Sequence, residues 1–345
     1  MTMSPTVPAR LSRRAMLAGA VLAPAVIGRA HAETATIRIA QQFGIGYLPL
    51  IVVKERNLFA PAARALDLPE ARIDWVQISG AAGMNDALFS GNLDIASAGS
   101  GPLITVWART RANLGVRGVA ALGSLPVWLT TSNPAVRSVR DFGPQDRIAL
   151  PAVRIGYQAV LLQMAAEQAF GAGQYGRLDA LTVSMSHPDA TIALLSGRSE
   201  ITANFGGPPF QQQQVEQSNG RIRRVVSSYD LLDGPCTFNV LYATDRFRSA
   251  NPRTLQALIA ALDTANAWIA AQPREAAELY VKAEKSALSP DFVERLLRAP
   301  ENRFTTTPEK FLRFAAFQHY TGQIREKPAA WQDLFFPEIH ARAGS

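Results

Sequence analysis

The residues best suited to chemistry in this 345-residue chain are glycines and small polar side chains that recur in two similar segments. Residues 87–102 align without gaps with residues 193–208, at an offset of 106, and seven of the sixteen pairs are identical. Both copies predict a helix ending at Ser-Gly, a short strand opened by an acidic residue, and a Gly-rich turn closed by proline. Such turns present backbone N–H groups, which can hold a negative or strongly polar group without lysine or arginine.

A single turn of this kind would most simply change the direction of the chain. Two copies indicate that one strand-helix-strand unit is used twice, in two lobes of similar topology. Ser79-Gly80 and Ser186-His187 follow a strand at equivalent places upstream of the copies. Because ligands gather where the carboxyl ends of parallel strands meet helix N-termini, we predict a ligand cleft between the lobes.

The alternation of strand-like and helix-like segments predicts an α/β fold with mainly parallel sheets. The expected strands are 36–40, 73–78, 94–97, 116–122, 127–131, 147–150, 181–185, 200–204, 222–227 and 237–243. The helix-length stretches between them include 49–59, 84–90, 158–170 and 189–196. Beyond Pro252 only helices are expected, each beginning near a proline, at 253–271, 273–282, 290–298 and 308–322.

The first 32 residues have the pattern of a removable export signal. Three arginines, Arg10, Arg13 and Arg14, precede an apolar run at 15–27, and the small-x-small sequence at 30–32 suits a signal peptidase. The order of residues 12–17 is typical of the twin-arginine pathway. An uncut membrane anchor is the alternative, but the apolar run is shorter than the ~20 residues that span a bilayer. We therefore expect the mature protein to begin at Glu33 and to act in the periplasm.

Charge and cysteine content exclude several classes of partner and site. The formal charge of +7 includes four arginines of the signal, and no acids, so the expected mature charge is 7 − 4 = +3. This weak, scattered charge predicts no nucleic-acid partner. Cys236 is the only cysteine, and His187, His319 and His340 are widely spaced. We therefore expect neither a metal site nor a cofactor.

Several motifs of the mature chain resemble those of the substrate-binding proteins of nitrate/sulfonate/taurine-type ABC importers. They lie at 37–41, 47–50, 75–80, 84–88 and 91–103. The resemblance covers nearly the whole mature chain and is strongest from residue 36 to 105. It implies a monomer with the type II periplasmic-binding-protein fold, in which two α/β lobes are joined by two crossing strands. The partners would be a small solute and an inner-membrane permease.

The resemblance also implies where the lobes and the ligand lie. Lobe one would comprise 33–125 and 240–345 and lobe two 126–239, with crossings near 125–129 and 237–240. The expected ligand-binding residues of lobe one are Gln42, Phe43, Tyr47, Ser79, Gly80, Ser100 and Gly101. Those of lobe two are Tyr157, Gln158, Asn204, Phe205 and Gly206, together with Trp128 near the crossing. Trp128 could instead belong to the core. The solute stays open among sulfonates, nitrate, carboxylates, aromatic acids and nitrogen heterocycles.

Two other functions compete with solute import. An exported sensor module would need the same cleft, so the sequence does not separate it from an importer component. An enzyme is disfavoured, because Gly44-Ile45-Gly46 is an incomplete dinucleotide motif and no hydrolase, zinc-protease or phosphate-loop motif occurs. Pyrimidine-precursor synthases share the fold but carry a cysteine-rich motif that one cysteine cannot supply. His187, before Pro188, is expected to have a structural role.

Overall fold

Two five-stranded sheets, each flanked by helices, form the framework of the chain. The computed structural model describes residues 1, 2, 4, 33–68 and 70–345. The apolar run and cleavage site of the expected signal lie outside the described residues and stay predictions. By its internal contacts Glu33–Ser345 forms one compact unit, and everything below concerns that unit.

The first sheet has the strand order β2-β1-β3-β10-β4. Its strands are β1 (Thr36–Gln41), β2 (Arg72–Gln77), β3 (Ile95–Gly99), β4 (Arg117–Ser124) and β10 (Thr237–Ala243). β1 is parallel to β2 and β3, whereas β10 is antiparallel to both of its neighbours. The register pairs Asn239 with Gly99. The beginning of β10 therefore lies at the same sheet edge as the end of β3.

The second sheet repeats this arrangement, with the order β7-β6-β8-β5-β9. Its strands are β5 (Trp128–Thr131), β6 (Ile148–Leu150), β7 (Thr182–Ser184), β8 (Ala203–Phe205) and β9 (Arg223–Ser227). β6 is parallel to β7 and β8, and β5 is antiparallel to β8 and β9. The α/β fold of two similar lobes is confirmed. The ten expected strands are all present, with ends shifted by at most a few residues.

The sheets are mixed, although mainly parallel sheets were expected. In each sheet two pairings are parallel and two antiparallel. The antiparallel pairings involve β5 and β10, which are the first strands that the chain forms after passing from one sheet to the other. Each enters its sheet from the edge that faces the other lobe, so it runs opposite to the strands that end there.

Thirteen α-helices are present among the described residues, together with five short 3-10 helices. The first eight are α1 (Leu48–Glu55), α2 (Phe59–Arg64), α3 (Ala81–Phe89), α4 (Ser100–Thr110), α5 (Tyr157–Phe170), α6 (His187–Ser196), α7 (Phe210–Gln217) and α8 (Ser228–Leu232). The remaining five are α9 (Asp245–Ala250), α10 (Pro252–Ala271), α11 (Pro273–Ala283), α12 (Pro290–Arg298) and α13 (Phe311–Tyr320). α10, α11 and α12 each begin at a proline, as expected, because proline lacks only an N–H that the first turn leaves unpaired. No described helix is long and apolar enough to cross a membrane.

The duplicated segments occupy equivalent places in the two lobes. One is the unit α3-β3-α4 and the other is α6-β8-α7, and β3 and β8 are both third in their sheets. Gly91 (φ 73°) and Gly197 (φ 62°) follow the ends of α3 and α6 in the left-handed conformation that glycine tolerates best. The acidic residues of the two copies have different surroundings. Asp94 forms a salt bridge with Arg38 at 2.7 Å, whereas Glu200 is exposed.

Two connections join the lobes. Residues 125–127 link β4 to β5, and residues 228–236, which include α8, link β9 to β10. Residues 237–239 were expected in lobe two, but β10 is hydrogen-bonded only to strands of the first sheet. We therefore propose 126–236 for lobe two. The C-terminal helices return to lobe one, where α10 packs against α1, α2 and β4.

The main hydrophobic core passes through both lobes. It includes Ile39 and Leu241 of the first sheet and Leu129 and Ile148 of the second, all fully buried. A smaller cluster lies under α6 and consists of Ala149, Ala190, Leu194, Ile201 and Ile222. Because apolar burial is the dominant favourable contribution to folding, the continuous core favours the closed arrangement of the lobes described here.

Candidate ligand-binding cavity

A small cavity of about 30 Å³ lies between the two sheets. The lobe-one wall consists of Gln42, Phe43, Tyr47, Ala81, Ala98, Gly99, Pro102, Phe238 and Asn239. The lobe-two wall consists of Pro151, Ala152, Gly156, Tyr157, Gln158 and His187. This volume has room for about one or two water molecules, so a larger solute needs the walls of the closed cleft to lie somewhat further apart than they do here.

Four helices direct their N-termini at this cavity. Ala81 is the first residue of α3, Gly99 precedes α4, Gly156 precedes α5, and His187 is the first residue of α6. Among the described residues, no side chain caps the first turn of α3, α4 or α5, and no acidic residue lies in those turns. Their N–H groups and the positive ends of their dipoles are therefore available to an anionic or acceptor-rich group.

The side chains of the wall are polar but uncharged. Within the part of the chain that the structure describes, no aspartate, glutamate, lysine or arginine lines the cavity. Gln42 is held in place by the backbone N–H of Gly80, which donates to its Oε1 at 3.0 Å. A wall of amides, an imidazole and helix N-termini can recognise a ligand through directed hydrogen bonds without a salt bridge.

Two buried nitrogens in the wall have no hydrogen-bond partner among the described residues. They are Nδ2 of Asn239 and Nδ1 of His187. Asn239 is only 2% exposed, and an amide N–H group that is buried without a partner is costly. A bound acceptor would satisfy this donor, so Asn239 is the clearest local sign of a ligand.

His187 is neutral at physiological pH. Burial lowers its pKa from 6.5 to about 4. Nε2 of its ring lies 3.4 Å from Nε2 of Gln158. Because the amide nitrogen of Gln158 can only donate, the ring nitrogen accepts and the proton is assigned to Nδ1. The unpartnered nitrogen of His187 is then a second N–H donor.

Gly99 allows the two walls to approach each other closely, because a Cβ there would overlap the side chain of Tyr157 from the opposite lobe. Within lobe one, a Cβ at Gly46 would lie 2.7 Å from Nδ2 of Asn239. The backbone N–H of Ile45 also donates to the carbonyl of Pro208 at 3.2 Å, which joins the two lobes beside the cavity. The structure is therefore a closed form of the cleft.

The structure brings five of the expected ligand-binding residues together in this cavity. They are Gln42, Phe43, Tyr47, Tyr157 and Gln158. Tyr47 and Tyr157 are buried, and burial raises the pKa of both hydroxyls above the ordinary value. The hydroxyl of Tyr157 lies 3.4 Å from Sγ of Cys236, in the connection that joins β9 to β10. Both tyrosines therefore stay protonated at physiological pH.

The expected residues of the lobe-one turns lie beside the cavity and not in its wall. Ser79 is exposed, while Gly80 contributes its N–H to Gln42. Ser100 donates its hydroxyl to the carbonyl of Thr237 at 2.7 Å. The carbonyl of Gly101 accepts from the amide of Gln318, and its Cα faces α5. The polar atoms of Ser100 and Gly101 are used by the fold, because this turn also joins α4 to β10 and α13.

The remaining expected residues stabilise the second sheet. Nδ2 of Asn204 donates to Ala149 and its Oδ1 accepts from Gln214, so its amide is satisfied within the lobe. Phe205 is fully buried in the core, and Gly206 donates its N–H to the carbonyl of Trp128. Trp128 lies outside the cavity wall, with the guanidinium of Arg224 5.4 Å from its ring centroid.

Sequence reasoning missed Phe238 and Asn239 and favoured a structural role for His187. Phe238 and Asn239 reach the cavity because β10 is antiparallel to β3, so its beginning lies where the parallel strands end. The signal for His187 was present in the sequence, because Ser186-His187 occupies the place equivalent to Ser79-Gly80 before the second copy of the repeat.

Comparison with solved structures finds the same fold in several periplasmic binding proteins. The alkanesulfonate-binding protein SsuA from Xanthomonas axonopodis pv. citri, bound to MOPS, matches with a TM-score of 0.65 and 19% identity over 86% of this chain and 96% of that one. The aliphatic sulphonate binding protein SsuA from Escherichia coli matches with a TM-score of 0.64 and 19% identity over 88% and 92%. The nitrate-binding protein NrtA from Synechocystis PCC 6803 matches with a TM-score of 0.66 and 15% identity over 87% and 84%.

No protein-family model and no curated protein sequence matches the chain. At such low identity the structural matches establish architecture and leave the ligand open. They cover most of both chains, and the sheet order, the repeated unit and the inter-lobe cavity agree with the architecture expected from the sequence. The chain therefore has the periplasmic-binding-protein fold.

Proposed function

We propose that the protein captures a small, acceptor-rich, anionic solute in the cavity between its lobes and delivers it to an ABC importer. The observation that carries this proposal is the unpartnered amide donor of Asn239, which lies in a wall formed by four helix N-termini. A sulfonate, a nitrate or a carboxylate would accept hydrogen bonds from this donor and from the uncapped helix turns. The sulfonate- and nitrate-binding proteins of the same fold support this class of solute.

Closure of the lobes would couple capture to a change of shape. Residues from both lobes line the cavity, so a solute contacts both walls only in the closed form. Such a solute stabilises the closed form by the free energy of the contacts that the open form lacks. The close approach of Gly99 to Tyr157 and of Ile45 to Pro208 supports a closed form that is stable once reached.

The remaining parts of the proposal concern place and partners. The signal-like sequence of residues 1–32 supports export through the twin-arginine pathway, cleavage after Ala32 and action in the periplasm. We propose that the mature protein is a monomer that docks on an inner-membrane permease. It would act by binding alone, since the cavity wall resembles a recognition site more than a catalytic one and the solved structures of this fold named above are binding proteins.

A thermal-shift screen of residues 33–345 tests the proposal. The panel contains an aliphatic sulfonate, nitrate, a carboxylate, an aromatic acid and a neutral nitrogen heterocycle. A tight solute at a thousandfold excess over Kd stabilises the protein by about 4 kcal/mol, which gives a clear shift. Stabilisation by none of the anions, or by the neutral heterocycle alone, would contradict the proposal.

A transport assay separates import from sensing. Cells that lack the gene are compared with the wild type for uptake of the solute that the screen identifies. Loss of high-affinity uptake supports delivery to an importer. Unchanged uptake together with a lost transcriptional response to the solute would assign the protein to a sensing pathway.

A further inference from the structure

The aromatic ring of Tyr157 crosses from one lobe into the other beside the cavity. Tyr157 is the first residue of α5 in lobe two, and it lines the cavity. Its ring centroid lies 5.3 Å from that of Phe238 and 5.1 Å from that of Phe314, and both phenylalanines belong to lobe one. The residue is only 2% exposed. A side chain of lobe two is therefore buried against lobe one.

A socket formed by Gly99, Cys236, Phe238 and Phe314 surrounds this ring. A Cβ at Gly99 would overlap Cβ and Cγ of Tyr157, so only a glycine permits so close an approach. At the far end of the ring, the hydroxyl of Tyr157 lies 3.4 Å from Sγ of Cys236. Cys236, Phe238 and Phe314 are all buried. The ring is therefore held at its base, on its faces and at its hydroxyl by a mainly apolar surface.

The position of the ring in the socket determines how far apart the two walls of the cavity lie. Gly99 and Phe238 belong to the lobe-one wall, and Tyr157 belongs to the lobe-two wall. Because Tyr157 contacts Gly99 and Phe238 directly, any separation of the walls draws the ring out of the socket. With the ring in place the cavity measures about 30 Å³, which suits a solute of a few non-hydrogen atoms.

We propose that Tyr157 determines the size of the solute, because its ring restricts the closed cleft to anions of a few non-hydrogen atoms. The inference rests on the proposed function, since it takes the cavity as the anion site. A larger anion forces the ring out of the socket, so its binding costs the contacts with Phe238 and Phe314. Without the ring, the cavity extends into the socket, whose apolar lining suits a benzene-sized group.

Binding of anions of increasing size tests this proposal. Calorimetry measures the affinity of residues 33–345, with and without Tyr157→Ala, for nitrate, for formate, acetate and benzoate, and for methanesulfonate and benzenesulfonate. In the wild type, affinity should fall at least about tenfold from the smallest to the aromatic member of a series, since two aromatic contacts are lost. Tyr157→Ala should bind the aromatic anions at least about tenfold more tightly than the wild type, because each buried methylene equivalent improves affinity about fourfold.

A second variant and a matched control separate the size of the site from general damage to the fold. Removal of a buried aromatic ring lowers stability, so Tyr157→Leu replaces the alanine variant if that variant does not fold. It should shift the preference in the same direction by a smaller factor. The control is Tyr280→Leu, since Tyr280 is also 2% exposed but lies in α11, outside the cavity wall. The control should lose stability and keep the wild-type order of affinities.

The outcomes distinguish this inference from the proposed function. If no anion of any size binds to the wild type, the proposed function fails. If the wild type binds benzoate as tightly as formate, only the inference about Tyr157 fails. It also fails if the Tyr157 variants weaken all anions by the same factor and keep the wild-type order, because the ring would then act only in packing.

Discussion

Replacing Asn239 with leucine should make the protein more stable and its ligand affinity lower. Nδ2 of Asn239 is buried and has no hydrogen-bond partner among the described residues. An unsatisfied buried polar group costs about 1–3 kcal/mol of folding free energy. Leucine is of comparable size and has no polar atoms, so the free energy of unfolding of the ligand-free protein should rise by about 1–2 kcal/mol.

The effect on binding has the opposite sign. A hydrogen bond from a neutral amide to an anion contributes about 1.5–3 kcal/mol. Its loss should weaken binding of the anion found in the screen about 10- to 150-fold. Opposite changes in stability and affinity are informative, because general damage to the fold would lower both.

The assay combines urea unfolding with calorimetry on protein that has been unfolded and refolded to remove any bound solute. Asn266→Leu is the matched control, since Oδ1 of Asn266 is also buried without a partner in the described structure but lies in α10, outside the cavity wall. The control should gain stability and keep its affinity. The reasoning is refuted if Asn239→Leu leaves affinity unchanged, or if it loses more than about 1 kcal/mol of stability.

Three further predictions concern Gly46 and His187, at the cavity, and Glu33, at the beginning of the compact unit. Gly46→Ala should weaken anion binding at least tenfold in calorimetry, because the new methyl group would lie 2.7 Å from Nδ2 of Asn239 and displace that amide. In the control Gly176→Ala the new Cβ has only ordinary contacts, so anion affinity should be unchanged. His187 has a pKa of about 4, so the unfolded chain binds more protons than the folded protein between pH 4 and 6.5, and the free energy of unfolding should fall as pH drops through this range. Affinity for the anion should rise as the ring becomes protonated. His187→Gln should flatten both pH dependences. Burial opposes ionisation of Glu33, but hydrogen bonds from the backbone of Thr254 and its neighbour lower the pKa of the carboxyl below its ordinary value. Glu33→Gln should therefore cost about 1–2 kcal/mol in urea unfolding at pH 7, and the difference should shrink as pH falls through the lowered pKa; an equal loss at pH 2 would contradict this.

Much of the fold could be predicted from the sequence because its local signals agree with its tertiary structure. Nine of the ten strands contain at least one β-branched residue, and three C-terminal helices begin at prolines. The helices that were not predicted individually include α2 (Phe59–Arg64) and α9 (Asp245–Ala250), which have only six residues each. So short a segment shows too few turns of apolar periodicity to be distinguished from a loop.

The cavity could be predicted only in part, because the sequence shows which residues end strands but not which polar atoms the fold already uses. Asn204 and Ser100 stand at strand ends as expected, yet their side chains are hydrogen-bonded within the fold. Asn239 lies near the beginning of an antiparallel strand, so a rule based on the carboxyl ends of parallel strands does not select it. Its importance depends on a register that only the three-dimensional structure supplies.

The position of β10 in the middle of the first sheet affects the order in which the lobes can form during synthesis. β3 and β4 are not neighbours, and the space between them is filled by a strand that begins at Thr237. The second sheet is made from one continuous stretch, Trp128 to Ser227, so it can assemble first as the chain leaves the ribosome. The first sheet stays split until the strand at Thr237–Ala243 has been translated, and a ribosome-stalled chain ending before it should contain only the second lobe in protease-resistant form.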